Sequence, residues 1–374
     1  MEDKMLPRGT LHELFGDLVT FRRLEPQDKR LRGLSRIREE LGLEERHIPR
    51  KAEPAYAAVV LHLLRQAQAL RTRAPLRRLI YIGDTKRNDG LTIANLGQHL
   101  PIRGFIAAED PGEPRKVETE DGVMYANRWG ALADFLEHLE REGFPLDEGT
   151  AAIVDLDKTA FGARGRNSHV VDSARVAAVR RTVEEALGDA FAEEAFQSVY
   201  DELNRPLYHH FTADNQDYLA YICLMVAGGV YGFSELLEDL KARRLRSFAD
   251  FIEACDRRGV PKELAPIHRE VYVGFKRDDP TPFKSFRHRE YEETVKRMDH
   301  LPDEVGEKRL LAEEIVLTRE VVDLCRFLKG NGVLLFGLTD KPDEASLPSP
   351  ELARAGFLPL HRVSMKIIGV HLAL

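Results

Sequence analysis

Four short apolar runs stand out in the pattern of hydrophobic and polar positions, and helical stretches separate them. The runs lie at 79–82, 103–108, 151–157 and 332–338. Short buried strands that alternate with helices are typical of a parallel sheet covered on both faces. The pattern therefore predicts an α/β fold whose sheet is enclosed by helices.

The stretch from about 165 to 330 has helical periodicity and no convincing strand. We therefore expect an all-helical domain inserted between the third and fourth strands. The predicted organisation is a helical N-terminal segment at 1–50, an α/β core at 51–164 and 331–374, and the helical insertion at 165–330. A nearly all-apolar helix at 55–70 belongs to the core and must pack against a large apolar surface.

Composition narrows the class of protein. The chain has 374 residues, enough for two domains, and its net charge of −7 comes from mixed acidic and basic residues. That charge argues against a nucleic-acid-binding protein that neutralises phosphates over a broad face. The three cysteines, Cys223, Cys255 and Cys325, form no CxxC motif. They predict neither a disulfide framework nor a zinc site, and they favour a reducing cytoplasm.

No membrane segment is expected either. The N-terminal residues lack an apolar core of the signal-peptide type. The longest uncharged run, at 218–234, falls short of the roughly 20 apolar residues that span a bilayer. We predict that this run is a buried helix followed by a turn.

Carboxylates follow two of the predicted strands. Asp84 and Asp89 come after the first, and Asp155 and Asp157 flank Leu156 at the end of the third. In open α/β sheets, ligands bind at the carboxyl ends of the strands. Buried carboxylates are costly unless a cation neutralises them, and Mg²⁺ is such a cation. A single acidic pair would be better explained as a turn cap, but two acidic strand ends favour a shared site.

Three sequence stretches resemble motifs of the haloacid dehalogenase-like superfamily of phosphoryl-transfer hydrolases. They are DLDKT at 155–159, FGLT at 336–339 and IGDTKRND at 82–89. The resemblance implies a Rossmann-like core with the helical insertion as a cap of the family's first type. In the family the acidic turn comes last, whereas here it precedes DLDKT. The resemblance therefore implies a circular permutation.

The family's remaining motif is a lysine at the start of the helix that leads to the acidic-turn strand. If the motif order is circularly permuted, this lysine is Lys51, just before the apolar helix at 55–70. Lys341 and Lys366 are rivals, and a solvated surface lysine is the ordinary alternative for each of the three. The tail at 358–370 would then supply the third core strand and close the permuted sheet.

The resemblance also implies a mechanism for phosphate esters. Asp155 would attack phosphorus to form an aspartyl-phosphate, and Asp157 would protonate the leaving alcohol and then activate water. Thr339 and Lys51 would hold the phosphate oxygens. Dehalogenases lack the second Asp of the motif, so Asp157 favours a phosphate monoester of a small metabolite as the substrate.

The resemblance assigns Mg²⁺ to the same strand ends. Its ligands would be Asp155, the backbone carbonyl of Asp157, and Asp84, with Asp89 or Asn88 nearby or reached through water. Several other residues are weaker candidates for contact with the substrate, and an ordinary structural or surface role is an alternative for them: Thr159, Arg164, Arg166, Lys341 and Lys366.

Three alternatives remain open. A phosphotransferase or phosphomutase would use the same aspartyl-phosphate chemistry, and sequence does not separate it from a hydrolase. A phospho-accepting receiver protein uses a similar order of acidic pair, Asp, Thr and Lys, although receivers carry no helical insertion of this size. A non-catalytic module that binds Mg²⁺ or a phosphorylated metabolite is the third.

Overall fold

The computed structural model describes residues 5–374 and divides the chain into two compact units. The first comprises the described residues up to Ser173 together with Thr294–Leu374, and the second is Ala174–Glu293. The second unit is therefore shorter than the predicted insertion at 165–330, and residues 294–330 belong to the first unit.

Within residues 5–374, ten strands form two sheets, and all of them lie in the first unit. They are β1 (Arg8–Gly9), β2 (Val19–Thr20), β3 (Arg78–Gly83), β4 (Ile102–Ala107), β5 (Val117–Glu120), β6 (Val123–Ala126), β7 (Thr150–Asp155), β8 (Leu317–Thr318), β9 (Leu334–Leu338) and β10 (Met365–Ile368). The main sheet has seven strands in the order β2-β9-β7-β3-β4-β6-β5. All neighbouring pairs are parallel except β5 with β6. The four predicted strands are β3, β4, β7 and β9, which confirms the α/β class.

The prediction for the C-terminal tail is wrong. Strand β10 lies in a separate three-stranded sheet of order β1-β10-β8, and not in the main sheet. The outer neighbour of β9, on the side away from β7, is β2, where Val19 pairs with Gly337. A strand of only two residues has no readable periodicity, so the sequence pattern does not reveal it.

The helices, in chain order, are α1 (Leu11–Phe15), α2 (Leu34–Ile37), α3 (Pro54–Arg71), α4 (Asn88–Gly97), α5 (Leu132–Arg141), α6 (Ser168–Leu187), α7 (Glu193–Leu203), α8 (His209–Thr212), α9 (Gln216–Ala227), α10 (Phe233–Lys241), α11 (Phe248–Arg258), α12 (Ala265–Lys276), α13 (Lys284–Val295), α14 (Glu307–Glu313), α15 (Arg319–Gly330) and α16 (Pro350–Arg354). Among the described residues, none of these helices is both long and apolar enough to cross a membrane.

Two apolar clusters sandwich the main sheet. Along β3, Ile80 and Ile82 belong to one cluster, while Leu79 and Tyr81 belong to the other. Successive side chains of a strand point to opposite faces, so the sheet is buried on both sides. Helices α1, α5 and α15 contribute to the first cluster, and α3 and α4 to the second. This burial explains why the sequences of the central strands are nearly continuous apolar runs.

The N-terminal segment also differs from the prediction. Its described part contains only the short helices α1 and α2, the strands β1 and β2, and loops. The apolar spacing of 34–46 resembles a helix, but α2 ends at Ile37. Gly33 precedes the stretch and Gly42 lies within it, and glycine is a poor helix former.

The helical unit Ala174–Glu293 has a core of its own. It contains α7 to α12 and parts of α6 and α13, and the uncharged run at 218–234 supplies much of α9. Within this core a buried ion pair joins Arg287 to Asp217 at 2.5 Å. Helix α15, by contrast, turns Val321, Leu324 and Leu328 toward the sheet of the first unit. Helical periodicity alone does not say which core a helix joins, which is why the predicted boundary lay too late.

Candidate active site

The carboxyl ends of three neighbouring strands bring the main polar side chains together. Asp155 ends β7, Asp84 follows β3, and Thr339 follows β9. Strand β7 lies between β3 and β9, so these residues share one edge of the sheet. All three side chains are buried.

Three carboxylates form the centre of the site, here called the acidic cluster: Asp84, Asp89 and Asp155. One oxygen from each lies within 4.8 Å of the others. Asp84 and Asp155 come from adjacent strands, and Asp89 comes from the first turn of α4. Such a group of buried oxygen ligands is able to hold a metal ion.

Asp89 differs from its two neighbours because both its oxygens are already bonded. Oδ2 accepts hydrogen bonds from the backbone amides of Asp84 and Thr85 and from the Thr85 hydroxyl, at 2.8 to 3.0 Å. Oδ1 accepts from Tyr81 Oη at 2.8 Å and from Lys51 Nζ at 3.0 Å. The carboxylate therefore holds the turn after β3 in place.

Gly83 makes this arrangement possible. A Cβ at this position would lie 2.6 Å from Asp89 Oδ2. Any side chain would push the carboxylate off the two amides that it accepts from. The glycine that punctuates the acidic turn is therefore required by close packing.

Lys51 contacts two carboxylates of the acidic cluster. Its Nζ is 3.0 Å from Asp89 Oδ1 and 3.0 Å from Asp155 Oδ1. The contact with Asp89 is a hydrogen bond, and that with Asp155 is an ion pair. Lys51 itself is buried, just ahead of α3. Lys51 therefore pairs with two of the three carboxylates of the acidic cluster.

The electrostatics of the acidic cluster are uneven. Burial raises the pKa of Asp84 to about 6, with a further contribution from Asp89 and opposition from Arg164. Burial also raises the pKa of Asp155, against the pull of Lys51. For Asp89 burial is outweighed by Lys51 and the Thr85 amide, which lower the pKa to about 2. Burial thus disfavours the charged forms of Asp84 and Asp155, and a further positive charge in the cluster would stabilise them.

Arg164 reaches the acidic cluster from the loop after β7. Its Nε donates a hydrogen bond to Asp84 Oδ2. The loop is fixed by the Arg164 carbonyl, which accepts from the Glu109 amide at 2.9 Å. Next to it, Gly165 has φ +80°, and a Cβ there would lie 1.8 Å from the Glu109 carbonyl oxygen. The glycine thus lets the loop approach the end of β4.

Several buried oxygen atoms among the described residues near these strand ends have no hydrogen-bond partner. Besides Asp155 Oδ1, which pairs with Lys51, they include Tyr56 Oη, Asp157 Oδ1, Thr159 Oγ1, Thr20 Oγ1 and Asp340 Oδ1. A buried polar atom without a partner is costly, so such atoms mark places where water or a ligand binds. Sequence reasoning missed Tyr56 and Asp340, although each lies within five positions of a predicted residue, Lys51 or Thr339.

Other predicted residues lie outside the acidic cluster. Asn88 is exposed at the start of α4. Arg166 is held by two carboxylates, with Nε 2.5 Å from Glu109 Oε2 and Nη2 2.7 Å from Glu320 Oε1. Lys341 is buried, and its backbone amide donates to Thr339 Oγ1 at 3.1 Å. Ion pairing thus accounts for the position of Arg166. Lys341 lies close in the chain to Thr339, the residue predicted to bind phosphate.

Lys366 has a different environment. It is fully buried on β10, and its Nζ is 2.8 Å from Glu314 Oε1, 3.1 Å from Asp299 Oδ1 and 2.7 Å from the Leu301 carbonyl. These contacts tie the small sheet to the loop before α14. They explain the buried lysine as part of a structural ion pair.

Substituting Lys366 by Met should therefore lower the free energy of unfolding by about 3–5 kcal/mol, because Glu314 would stay buried without its cation. Urea denaturation measures this loss. Lys308 is exposed, and Lys308→Met is the matched control. Equal stability of the two variants would contradict the structural role of Lys366.

Comparison of this chain with protein-family models, with curated proteins and with solved structures gives no significant match. Its function is therefore inferred from its own residues. The strongest basis is the acidic cluster with its buried lysine.

Proposed function

We propose that this protein is a Mg²⁺-dependent phosphohydrolase of the haloacid dehalogenase-like type, with a circularly permuted motif order and a small phosphate monoester as substrate. One observation carries the proposal. Asp84 and Asp155, from separate sequence motifs, meet in one buried cluster with Lys51 between Asp89 and Asp155.

The order of the strands supports the permutation. The acidic-turn strand β3 is the direct neighbour of β7, although it comes first in the chain. Helix α3 leads from Lys51 into β3, as the permuted motif order requires. Strand β2 takes the sheet position beyond β9 for which the sequence had suggested the C-terminal tail.

The donor set fits Mg²⁺, because hard cations prefer carboxylate and carbonyl oxygens. Asp155, Asp84 and the backbone carbonyl of Asp157 would hold the ion. Burial and Asp89 raise the pKa of Asp84 to about 6, so a cation bound beside it would stabilise its charged form. Asp89 would orient Lys51 and the turn, since both its oxygens are bonded. When bound, the ion would neutralise charge on the nucleophile and the phosphate.

The chain's own residues would divide the chemistry between them. Asp155 attacks phosphorus, the bond from phosphorus to the leaving oxygen breaks, and Asp157 gives that oxygen a proton. Asp157 then takes a proton from water as it hydrolyses the aspartyl-phosphate. Asp157 Oδ1 has no hydrogen-bond partner among the described residues, which leaves it available for this exchange. Lys51 and Thr339 hold the phosphate oxygens.

In this proposal the helical unit Ala174–Glu293 serves as a cap. It follows the Asp157 loop in the chain, at the position that the family's first type of cap takes. Arg164 and Thr159 are the residues of that loop best suited to contact the substrate. A small phosphorylated metabolite in the cytoplasm is the expected partner.

A panel of sugar phosphates, nucleotides and an aryl phosphate tests the proposal. We expect phosphate release from at least one of them with Mg²⁺, its loss with EDTA, and its return when Mg²⁺ is restored. Release to an acceptor alcohol instead of water would favour a phosphotransferase. A stable phosphoprotein without turnover would favour a receiver-like protein. If neither turnover nor phosphorylation of the protein were observed, the proposed enzymatic activity would be refuted, and a non-catalytic binding module would be the remaining alternative.

A further inference from the structure

A second cluster of metal-ligating side chains is formed by residues outside the acidic cluster. His12 lies on α1, Asp17 follows that helix after Gly16, and His361 lies on a short 3-10 helix at Leu360–Arg362. One ligand atom from each of the three lies within 4.8 Å of the other two. The cluster thus joins the beginning of the described chain to its C-terminal part.

Two of the three distances between ligand atoms in this cluster are close to those of a zinc site. Asp17 Oδ1 lies 3.0 Å from His361 Nε2 and 3.4 Å from His12 Nδ1. In a tetrahedral zinc site with bonds of about 2.0–2.1 Å, neighbouring ligand atoms lie roughly 3.3 Å apart. The two imidazole rings are tilted by 55° with centroids 6.0 Å apart, so both can face one point beside Asp17. Small side-chain adjustments would suffice to bind an ion.

One ligand atom of the cluster lacks a hydrogen bond, and solvent can reach the cluster. His12 Nδ1 is a buried atom without a hydrogen bond, which is costly unless something else binds it. His361 is buried. The side chains of His12 and Asp17 are 38% and 33% exposed, which gives an ion access from solvent.

A hydrogen-bonded network without metal is the competing explanation. Arg362 Nη2 lies 2.7 Å from Asp17 Oδ1 and 2.8 Å from Oδ2. The Arg362 side chain is 41% exposed, so it is free to shift to Oδ2 alone. Oδ1 would then remain for an ion. Arginine pairing accounts for the placement of Asp17, but it leaves His12 Nδ1 without a hydrogen bond.

We propose that His12, Asp17 and His361 bind a divalent transition-metal ion of the zinc class, with water as the fourth ligand. Two imidazole nitrogens and one carboxylate are a zinc ligand set, whereas Mg²⁺ prefers oxygen ligands. The site is independent of the proposed phosphatase chemistry, because it shares no residue with the acidic cluster. Its effect would be to fasten α1 to the turn that carries His361.

Zn²⁺ binding to the purified full chain, measured by competition with a chromogenic chelator, tests the proposal. The measurement is made in an Asp155→Asn background, to weaken metal binding at the acidic cluster. We expect one tightly bound Zn²⁺ and, with Co²⁺, the visible absorption bands of a tetrahedral site. His12→Ala should weaken Zn²⁺ binding by about 100-fold or more, since losing a residue that only hydrogen-bonds to a metal ligand already costs about 10- to 100-fold.

His371→Ala is the matched control, because His371 is exposed and pairs with Asp323 instead. It should bind Zn²⁺ as the parent does. Zn²⁺ should also raise the melting temperature of the parent protein but not that of His12→Ala, while any effect of Mg²⁺ should be the same in the two proteins. Equal Zn²⁺ affinity in the parent and in His12→Ala, or no binding at all, would overturn the proposal.

Discussion

Asp155→Asn should abolish phosphate release, with a loss of about 10³-fold or more in kcat for any substrate that the wild type turns over. The amide cannot attack phosphorus, so the aspartyl-phosphate never forms. Removing a nucleophile from a cooperating set of groups costs nearly the whole enzymatic rate, whatever else remains. Steady-state kinetics on the best substrate of the panel measures the loss.

The fold should survive this substitution. Asn keeps the shape of Asp, and Asp155 sits on a strand whose backbone pairs on both sides. Circular dichroism and the melting temperature check this. Asp189→Asn, at an exposed position of the helical unit, is the matched control and should retain full activity. A turnover rate in Asp155→Asn close to that of the wild type would exclude Asp155 as the nucleophile.

Lys51→Met should cost both activity and stability. The substitution leaves the buried carboxylates of Asp89 and Asp155 without the cation that pairs with them at 3.0 Å. Breaking a buried ion pair from one side typically costs about 3–5 kcal/mol of unfolding free energy. The rate should fall by about 10² to 10³ as well, because a charged donor for the phosphate oxygens is lost. Urea denaturation and steady-state kinetics measure the two losses.

A double variant separates the two carboxylates. In Lys51→Met/Asp155→Asn one uncompensated carboxylate is gone, so this protein should be more stable than Lys51→Met alone.

Acid titration of stability adds a second measurement of the role of Lys51. Asp89, with its pKa lowered to about 2, contributes stability above about pH 4 that is lost as the pH falls toward 2. Without Lys51 that contribution should shrink.

Lys86→Met serves as the control, since Lys86 is a largely exposed lysine near the same turn. It should change the unfolding free energy by less than about 0.5 kcal/mol. If Lys51→Met were as stable and as active as Lys86→Met, the central role of Lys51 would be wrong.

The main elements of the sheet were predictable from sequence because burial on both faces demands continuous apolar runs. Strands β3, β4, β7 and β9 are all of this kind, and each of the acidic motifs begins where such a run stops. Parallel strands have their carboxyl ends at one edge of the sheet. Asp84 and Asp155 therefore meet because β3 and β7 are neighbours in the sheet. Chain order alone does not make them neighbours.

The helical insertion was predictable in kind but not in extent. Helix α15 has the same amphipathic pattern as the helices of the inserted unit, yet it packs on the main sheet. The edge strand β2 is too short for any pattern, and the C-terminal tail has the composition of a core strand but pairs in the small sheet. Periodicity reports that a face is buried, and not which partner buries it.

The sequence by itself determined the α/β class, the central strands and the acidic residues at their ends, because these depend on local composition. Only the tertiary structure chose among the lysines: Lys51 meets Asp89 and Asp155, whereas Lys366 meets Glu314. It also gave Asp89 five hydrogen bonds, and it brought His12 beside His361. The physical reason is that the partner of a buried charge is set by distance in space, and sequence spacing carries no such distance.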